Sequence, residues 1–280
     1  MHRVKSSGGR LLAVEEWGVP GGVPVLYTHG SPMSRLARYP DDSLFTDLNV
    51  RLITYDRPGF GESEAHRGRS VADAAADIEA IADELGLERF PLFGVSGGGP
   101  HALAFAALRP ERVTRVATLA SPAPVDAEGL EWGAGMMESN RRSSAAALRG
   151  REALVELFAQ DDEEGQSPAS LLPAAEQAVL ARPEVRAMLG AAFAEAVRPG
   201  KDGWIDDEMA LYGLPWGFDP AAISAPARVW HGELDTVIPV THARWIAARV
   251  PAAELLADPE AGHAGHFAAT PDILRWLLLG

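Results

Sequence analysis

Gly94-Val95-Ser96-Gly97-Gly98 decides how this chain folds. The pentapeptide fits G-x-S-x-G, a serine between glycines at −2 and +2. Phe90–Val95 leads into it as a short apolar strand. Roughly Gly98–Leu108 leads out as a helix, with Pro100 tolerated in its first turn. A serine at so sharp a turn is driven into strained dihedrals, and its Oγ projects from the edge of the sheet. Side chains at 94 or 98 would collide between strand and helix. The helix N-terminus behind Ser96 favours developing negative charge.

The rest of the chain supplies the sheet this turn requires. Leu11–Gly18, Val23–Gly30, Val50–Asp56, Arg89–Ser96 and Val113–Ser121 read as strands ended by Gly, Pro or polar turns. Val25-Leu26-Tyr27 and Leu52-Ile53-Thr54 are continuously apolar or β-branched, as in strands covered on both faces. Ser70–Leu85 reads as a helix. Ser70 is its N-cap with Asp73 three residues on, apolar residues recur at spacings of three and four, and Gly86 stands just past its end. Alternating strand and helix predicts an α/β fold with a mainly parallel sheet.

From about 125 to 215 the rhythm changes. No strand is convincing there, and segments such as 167–180 and 182–197 read as helices broken by Pro and Gly. The acidic run 161–164 reads as an exposed loop. After 216 the alternation resumes, with Ala227–Gly232 and Ala253–Ala257 as strands and Thr241–Val250 and Asp272–Leu279 as helices. The expected organisation is a core of 1–124 and 216–280 interrupted by a helical insertion, 125–215.

Composition narrows the chemistry. The 280 residues contain no cysteine, which excludes disulfides, thiolate metal sites and a cysteine nucleophile. The net charge of −14 argues against nucleic acid and anionic membranes as partners. Seventeen acidic and eight basic residues lie between 126 and 215, so nine of those fourteen charges belong to the insertion. With a mean hydropathy of −0.04, no membrane-spanning run and no apolar signal core near Met1, the expectation is a cytoplasmic protein.

A serine nucleophile needs a base, and the base an orienting acid. Asp235 follows the strand Ala227–Gly232, where catalytic groups of parallel sheets collect. Glu233 is a weaker rival. The base is His263 or His266, from Gly262-His263-Ala264-Gly265-His266, with His263 closer to the preceding strand. A metal site on these histidines lacks further ligands. An oxyanion hole would use the N–H of Gly97 and, from His29-Gly30-Ser31-Pro32, that of Ser31, since Pro32 has none.

The series HGSP (29–32), DRPGFGES (56–63), GVSGGGP (94–100), HGELDTVIP (231–239) and GHAGHF (262–267) resembles the successive signatures of the α/β-hydrolase family across essentially the whole core. The resemblance implies the α/β-hydrolase fold, with eight mostly parallel strands flanked by helices and an α-helical cap after the sixth. It implies that Asp56 and Arg57 are structural. Serine rather than aspartate at 96 disfavours the dehalogenase and epoxide hydrolase branches. What remains is a serine hydrolase needing no metal or cofactor. An esterase of small to medium apolar substrates is expected, with a proline-iminopeptidase-like aminopeptidase or amidase, or a non-catalytic receptor of the same fold, as alternatives. Trp132, Met136, Trp204 and Tyr212 are the expected substrate-binding residues of the cap, although apolar residues at helical spacing mostly pack against one another. The partner would be a small molecule, and the chain a monomer or homodimer.

Overall fold

The computed structural model describes residues 1–164 and 174–279. Eight strands form one sheet: β1 (His2–Lys5), β2 (Leu11–Gly18), β3 (Val23–Thr28), β4 (Val50–Tyr55), β5 (Phe90–Val95), β6 (Val113–Leu119), β7 (Ala227–Gly232) and β8 (Ala253–Asp258). Their spatial order is β1-β2-β4-β3-β5-β6-β7-β8. β2 runs antiparallel to β1 and β4, and every other pairing is parallel. This is the α/β-hydrolase fold expected above. The sequence reading did not foresee β1, which is polar and only four residues long.

Helices cover both faces. On one lie α2 (Ala74–Glu84), α3 (Gly99–Leu108) and α9 (Val240–Arg249), burying Ile78, Ile81, Phe105 and Ile246 against Leu26, Leu92, Val116 and Val229. On the other lie α1 (Ser43–Asp47) and α10 (His266–Leu277), packing Phe45, Phe267, Ile273 and Leu274 against Val25, Phe93, Val95 and Leu119. The α2 region begins as expected, with the Asp73 carboxylate accepting from the Ser70 amide at 2.7 Å. Gly86 adopts φ +68° beyond its end.

Between β6 and β7 run α4 (Glu138–Arg149), α5 (Arg151–Glu164), α6 (Ala174–Leu180), α7 (Pro183–Ala196) and α8 (Asp202–Glu208). This helical segment has a small core of its own around Ala146, Leu154, Phe158 and Ile205. Two expectations need correction. The run 161–164 is the last turn of α5 rather than a loop, and Asp161 reaches Arg142 at 3.3 Å. The terminal helix starts at His266, six residues before Asp272, and carries Pro271 inside it. A proline this deep forfeits one backbone bond, so the pattern alone suggests that the helix begins after it. Part of the predicted helix 167–180 lies outside the described residues.

Register builds the edge that matters. Thr28 at the end of β3 pairs with Gly94 in β5, which sets the loop from 29 beside the turn at Ser96. Beyond β7 and β8, Glu233 N–H donates to Asp258 O (2.8 Å) and Leu234 N–H to Ala261 O (2.9 Å), joining the loops that carry Asp235 and His263. At the centre, a Cβ on Gly98 would lie 2.1 Å from Thr28 O and 2.5 Å from His29 O, both backbone atoms. We therefore expect Gly98→Ala to destabilise the protein by about 1–3 kcal/mol or more. Gly21→Ala, with no atom within 4 Å, should leave the denaturant midpoint unchanged. Equal midpoints for the two variants would contradict this packing.

Candidate active site

Ser96 sits between β5 and α3 with φ +52°, a left-handed conformation that costs a non-glycine residue roughly 1 kcal/mol or more. Its neighbours enforce it. A Cβ on Gly94 would lie 2.5 Å from Gly98 C and O, and one on Gly99 would lie 2.0 Å from Ser121 Oγ. Thr28 Oγ1 donates to Gly98 O (2.8 Å), tying β3 to the turn. Ser96 is only partly covered, whereas Gly97 and Gly98 are buried.

Asp235 is buried beyond β7. Its Oδ1 accepts from the amides of Val237 (2.8 Å) and Ile238 (2.9 Å), which fixes the carboxylate plane. Its Oδ2 meets His263 Nδ1 at 2.8 Å and His231 Nε2 at 3.2 Å. Burial acts to raise the Asp235 pKa, but His263 and His231 together hold it well below the usual carboxylate range. Burial lowers and Asp235 raises the pKa of His263, and the net result lies above the ordinary 6.5. An ionised carboxylate only accepts, so His263 Nδ1 carries the proton and Nε2 its lone pair. His263 makes no hydrogen bond to Ser96 in this structure.

His266 stands elsewhere. Its ring lies 6.4 Å from that of His263 and 4.1 Å from that of Phe267, in a narrow crevice with Tyr27, Tyr39 and Phe93. Burial and the neighbouring His263 push its pKa down to about 3. Glu233 is exposed and accepts from Arg244 (2.9 Å), with no bond to His263.

The loop 29–32 meets the turn closely. A Cβ on Gly97 would lie 3.1 Å from Ser31 Cβ, 3.4 Å from Ser31 N and 3.0 Å from Leu211 Cδ1. One on Gly30 would lie 3.4 Å from Ser96 Cβ. His29 Nδ1–H donates to Gly30 O (2.8 Å), the carbonyl of the peptide whose N–H belongs to Ser31. Burial and Arg57 hold the His29 pKa far below its ordinary value, so the ring is neutral. Arg57 donates from its backbone N–H to His29 Nε2 (3.4 Å) and from its guanidinium to His29 O.

Arg57 also reaches the helical segment. Its Nε and Nη2 bond Asp207 of α8 at 3.0 and 2.6 Å, and Arg69 bonds the same carboxylate at 2.5 Å. Burial works to raise the Asp207 pKa, but the two guanidiniums hold it far below the normal range. Arg69 also lies 3.4 Å from His101 Nε2, whose Nδ1–H donates to Gly97 O (2.8 Å). Sequence reading missed Asp207, Arg69, His101, His29 as a positioning ring, and His231. It also missed Glu176 of α6, which is buried with Oε2 accepting from Ala264 N (2.7 Å) and Oε1 without a partner among the described residues. HGSP, DRPGFGES and HGELDTVIP contain His29, Arg57 and His231 but name only one side of these contacts.

The four expected substrate residues separate. Trp132 stands edge-on to Tyr212 (5.3 Å) and donates from Nε1 to Ala123 O (2.9 Å). Tyr212 adjoins Leu211, the residue against Gly97. Met136 is buried, next to Met137 whose N–H bonds Thr236 O (2.7 Å). Trp204 packs on Phe158 (4.6 Å) inside the segment's own core and donates to Glu208 (3.2 Å).

Comparison with known proteins places these features in a family. Residues 23–270 match the alpha/beta hydrolase fold family. The chain is 28% identical over 278 residues to the dihydrolipoyllysine-residue acetyltransferase component of the acetoin cleaving system of Pseudomonas putida, covering 97% of this chain and 66% of that protein. It is 34% identical over 112 residues to the proline iminopeptidase of Xylella fastidiosa, covering 38% of this chain and 34% of that protein. The chain thus spans less than two thirds of the length of these relatives. Among solved structures it resembles a thermophilic esterase from Thermogutta terrifontis, with TM-score 0.68 and 22% identity over 99% of this chain and 96% of that one. With the family matched over most of its length and the eight-stranded sheet in place, this chain belongs to the α/β-hydrolase fold family.

Proposed function

We propose that this protein is a serine hydrolase that cleaves carboxylic esters of small to medium apolar substrates through an acyl-serine intermediate. The observation that carries the reading is the 2.8 Å bond between Asp235 and His263 Nδ1, which leaves the His263 Nε2 lone pair available at the sheet edge that bears Ser96. In the proposed cycle, substrate binding brings Ser96 Oγ–H onto His263 Nε2, a contact that often tightens only in the complex. Ser96 Oγ adds to the carbonyl carbon while its proton passes to Nε2, and the carbonyl π pair becomes an oxyanion. The N–H groups of Gly97 and Ser31 hold that charge. The imidazolium, stabilised by Asp235, then protonates the departing alkoxide. Water repeats the sequence on the acyl-serine and releases the acid.

In this reading 125–215 is a cap over the core formed by 1–124 and 216–280. Leu211, which faces Gly97, begins its apolar wall, Tyr212 and Trp132 continue it, and Met136 is buried beside Met137, whose N–H bonds Thr236 O. Trp204 is left out of that wall, since its ring packs on Phe158 and its Nε1–H donates to Glu208.

A second reading, an aminopeptidase, draws on Glu176. Its buried Oε1 has no partner among the described residues and lies beside the loop of His263, where it could receive a substrate ammonium. The partial likeness to proline iminopeptidase agrees with it.

Four measurements test the assignment. An organophosphonate should add one adduct to the wild type and none to Ser96→Ala, and labelling that survives the substitution removes the nucleophile. His263→Ala should lower kcat by about 10⁴, as when other triads lose a member, and His266→Ala by less than about tenfold. Because protonated His263 cannot accept the serine proton, kcat/KM should rise with pH to a plateau, its midpoint above 6.5. The reverse ranking of the two histidines, or a pH-independent rate, would reassign the base. Finally, nitrophenyl esters should turn over faster than amino-acyl arylamides on one preparation. Faster turnover of a prolyl arylamide, lost in Glu176→Gln, would select the aminopeptidase.

A further inference from the structure

Glu176 joins the helical segment to the loop that carries His263. It stands near the start of α6, is only 5% exposed, and meets one turn of that loop at two points. Its Oε2 accepts from the Ala264 N–H at 2.7 Å, one residue beyond His263. Its Oε1 fills the space beside Gly262, one residue before His263, where an added Cβ would lie 1.8 Å from that oxygen. Gly262 has an extended backbone with φ −103°, and the three nearest atoms that such a Cβ would meet all belong to Glu176. Packing seats α6 at the same place, with Val179 and Leu180 against the cluster that holds Ala264 and Phe267.

The charges around His263 give this contact a chemical meaning. Among the described residues, Asp235 and His231 face it from β7 and the loop beyond, His266 from α10, and Glu176 from α6. His266 is held neutral by burial, and His231 bonds Asp235. Asp235 and Glu176 are the two whose charge favours a protonated His263. We infer that Glu176 is a positioning residue for the base: its carboxylate clamps the turn 262–264 and stands as a second anion, after Asp235, beside the imidazolium formed in turnover. The inference rests on the serine-hydrolase reading above. When Ser96 passes its proton to His263 Nε2, the resulting charge is answered by one carboxylate from the core and one from the helical segment. Glu176 exchanges no proton and touches no reacting atom.

A neutral nitrophenyl ester tests this, because it brings no ammonium for Glu176 to receive. Glu176→Gln keeps an oxygen for the Ala264 N–H and loses the charge. The midpoint of its kcat/KM profile should move to lower pH by about 0.5–1 unit, since removing an anion disfavours the protonated ring. Plateau kcat should fall about 3- to 10-fold, with KM within about twofold of wild type. Glu176→Asp, which restores the charge, should bring the midpoint part of the way back. Gly262→Ala, whose Cβ would push Oε1 aside, should move the midpoint in the same direction as Glu176→Gln. It serves in place of Glu176→Gln if that variant does not fold or has no measurable rate. A wild-type midpoint in these variants overturns the inference, even if stability falls, because Glu176 then only docks α6. A loss confined to amino-acyl arylamides, with the ester profile unchanged, also overturns it and assigns Glu176 to the aminopeptidase reading. Absence of both ester turnover and Ser96 labelling in the wild type overturns the serine-hydrolase reading and this inference with it.

Discussion

The buried pair between Arg57 and Asp207 is the contact on which the arrangement of the site depends. Both side chains are fully covered, and two bonds at 3.0 and 2.6 Å join guanidinium to carboxylate in parallel. Charges buried to this degree are tolerated only when paired, and removing one partner from such a pair typically costs about 3–5 kcal/mol. Arg57 also supports the loop 29–32 through His29, and through Arg69 and His101 the same carboxylate is linked to Gly97 O. The two peptides proposed to hold the oxyanion are therefore braced against one aspartate that comes from a different part of the chain, the helical segment between β6 and β7. The preceding residue works the same way. Asp56 accepts from Arg35 (2.6 Å), and Arg35 reaches Glu195 of α7 (2.7 Å).

These bonds change how the acidic charge of the segment is understood. By count it carries nine of the fourteen net negative charges, which suggests a negative field around the segment. Glu195, Asp206 and Asp207, however, are bound to Arg35, Arg151 and Arg57. These three of the seventeen carboxylates thus fasten helices to the core and to one another, and their charge is answered by arginines rather than left to solvent. Glu208 is a separate case. It is buried between Ser143 and Trp204, and burial raises its pKa to about 7.

What the sequence disclosed follows from the range of the forces involved. The turn at Ser96, the strand ends around it and the cap of α2 depend on residues within a few positions, so glycine placement and apolar spacing reveal them. The choice between His263 and His266 depends on how a 3₁₀ turn runs straight into α10, and Pro271 disguised where that helix begins. The Arg57–Asp207 pair spans 150 positions, and no local pattern marks either member as the other's partner. Trp132 and Trp204 look alike in sequence, but one stands edge-on to Tyr212 and donates to Ala123 O while the other packs on Phe158 and Phe193.

The segment and the core also touch through bare backbone. A Cβ on Gly203 would lie 2.1 Å from Gly59 O, and one on Gly59 would lie 2.7 Å from Gly203 Cα. A seam between two glycines offers no side chain that can lengthen or shorten by substitution, so the spacing between the two main chains is set by the peptide groups themselves. The distance between β4's following loop and α8 is thereby fixed by main chain alone, independent of the side chains that fill the rest of the segment.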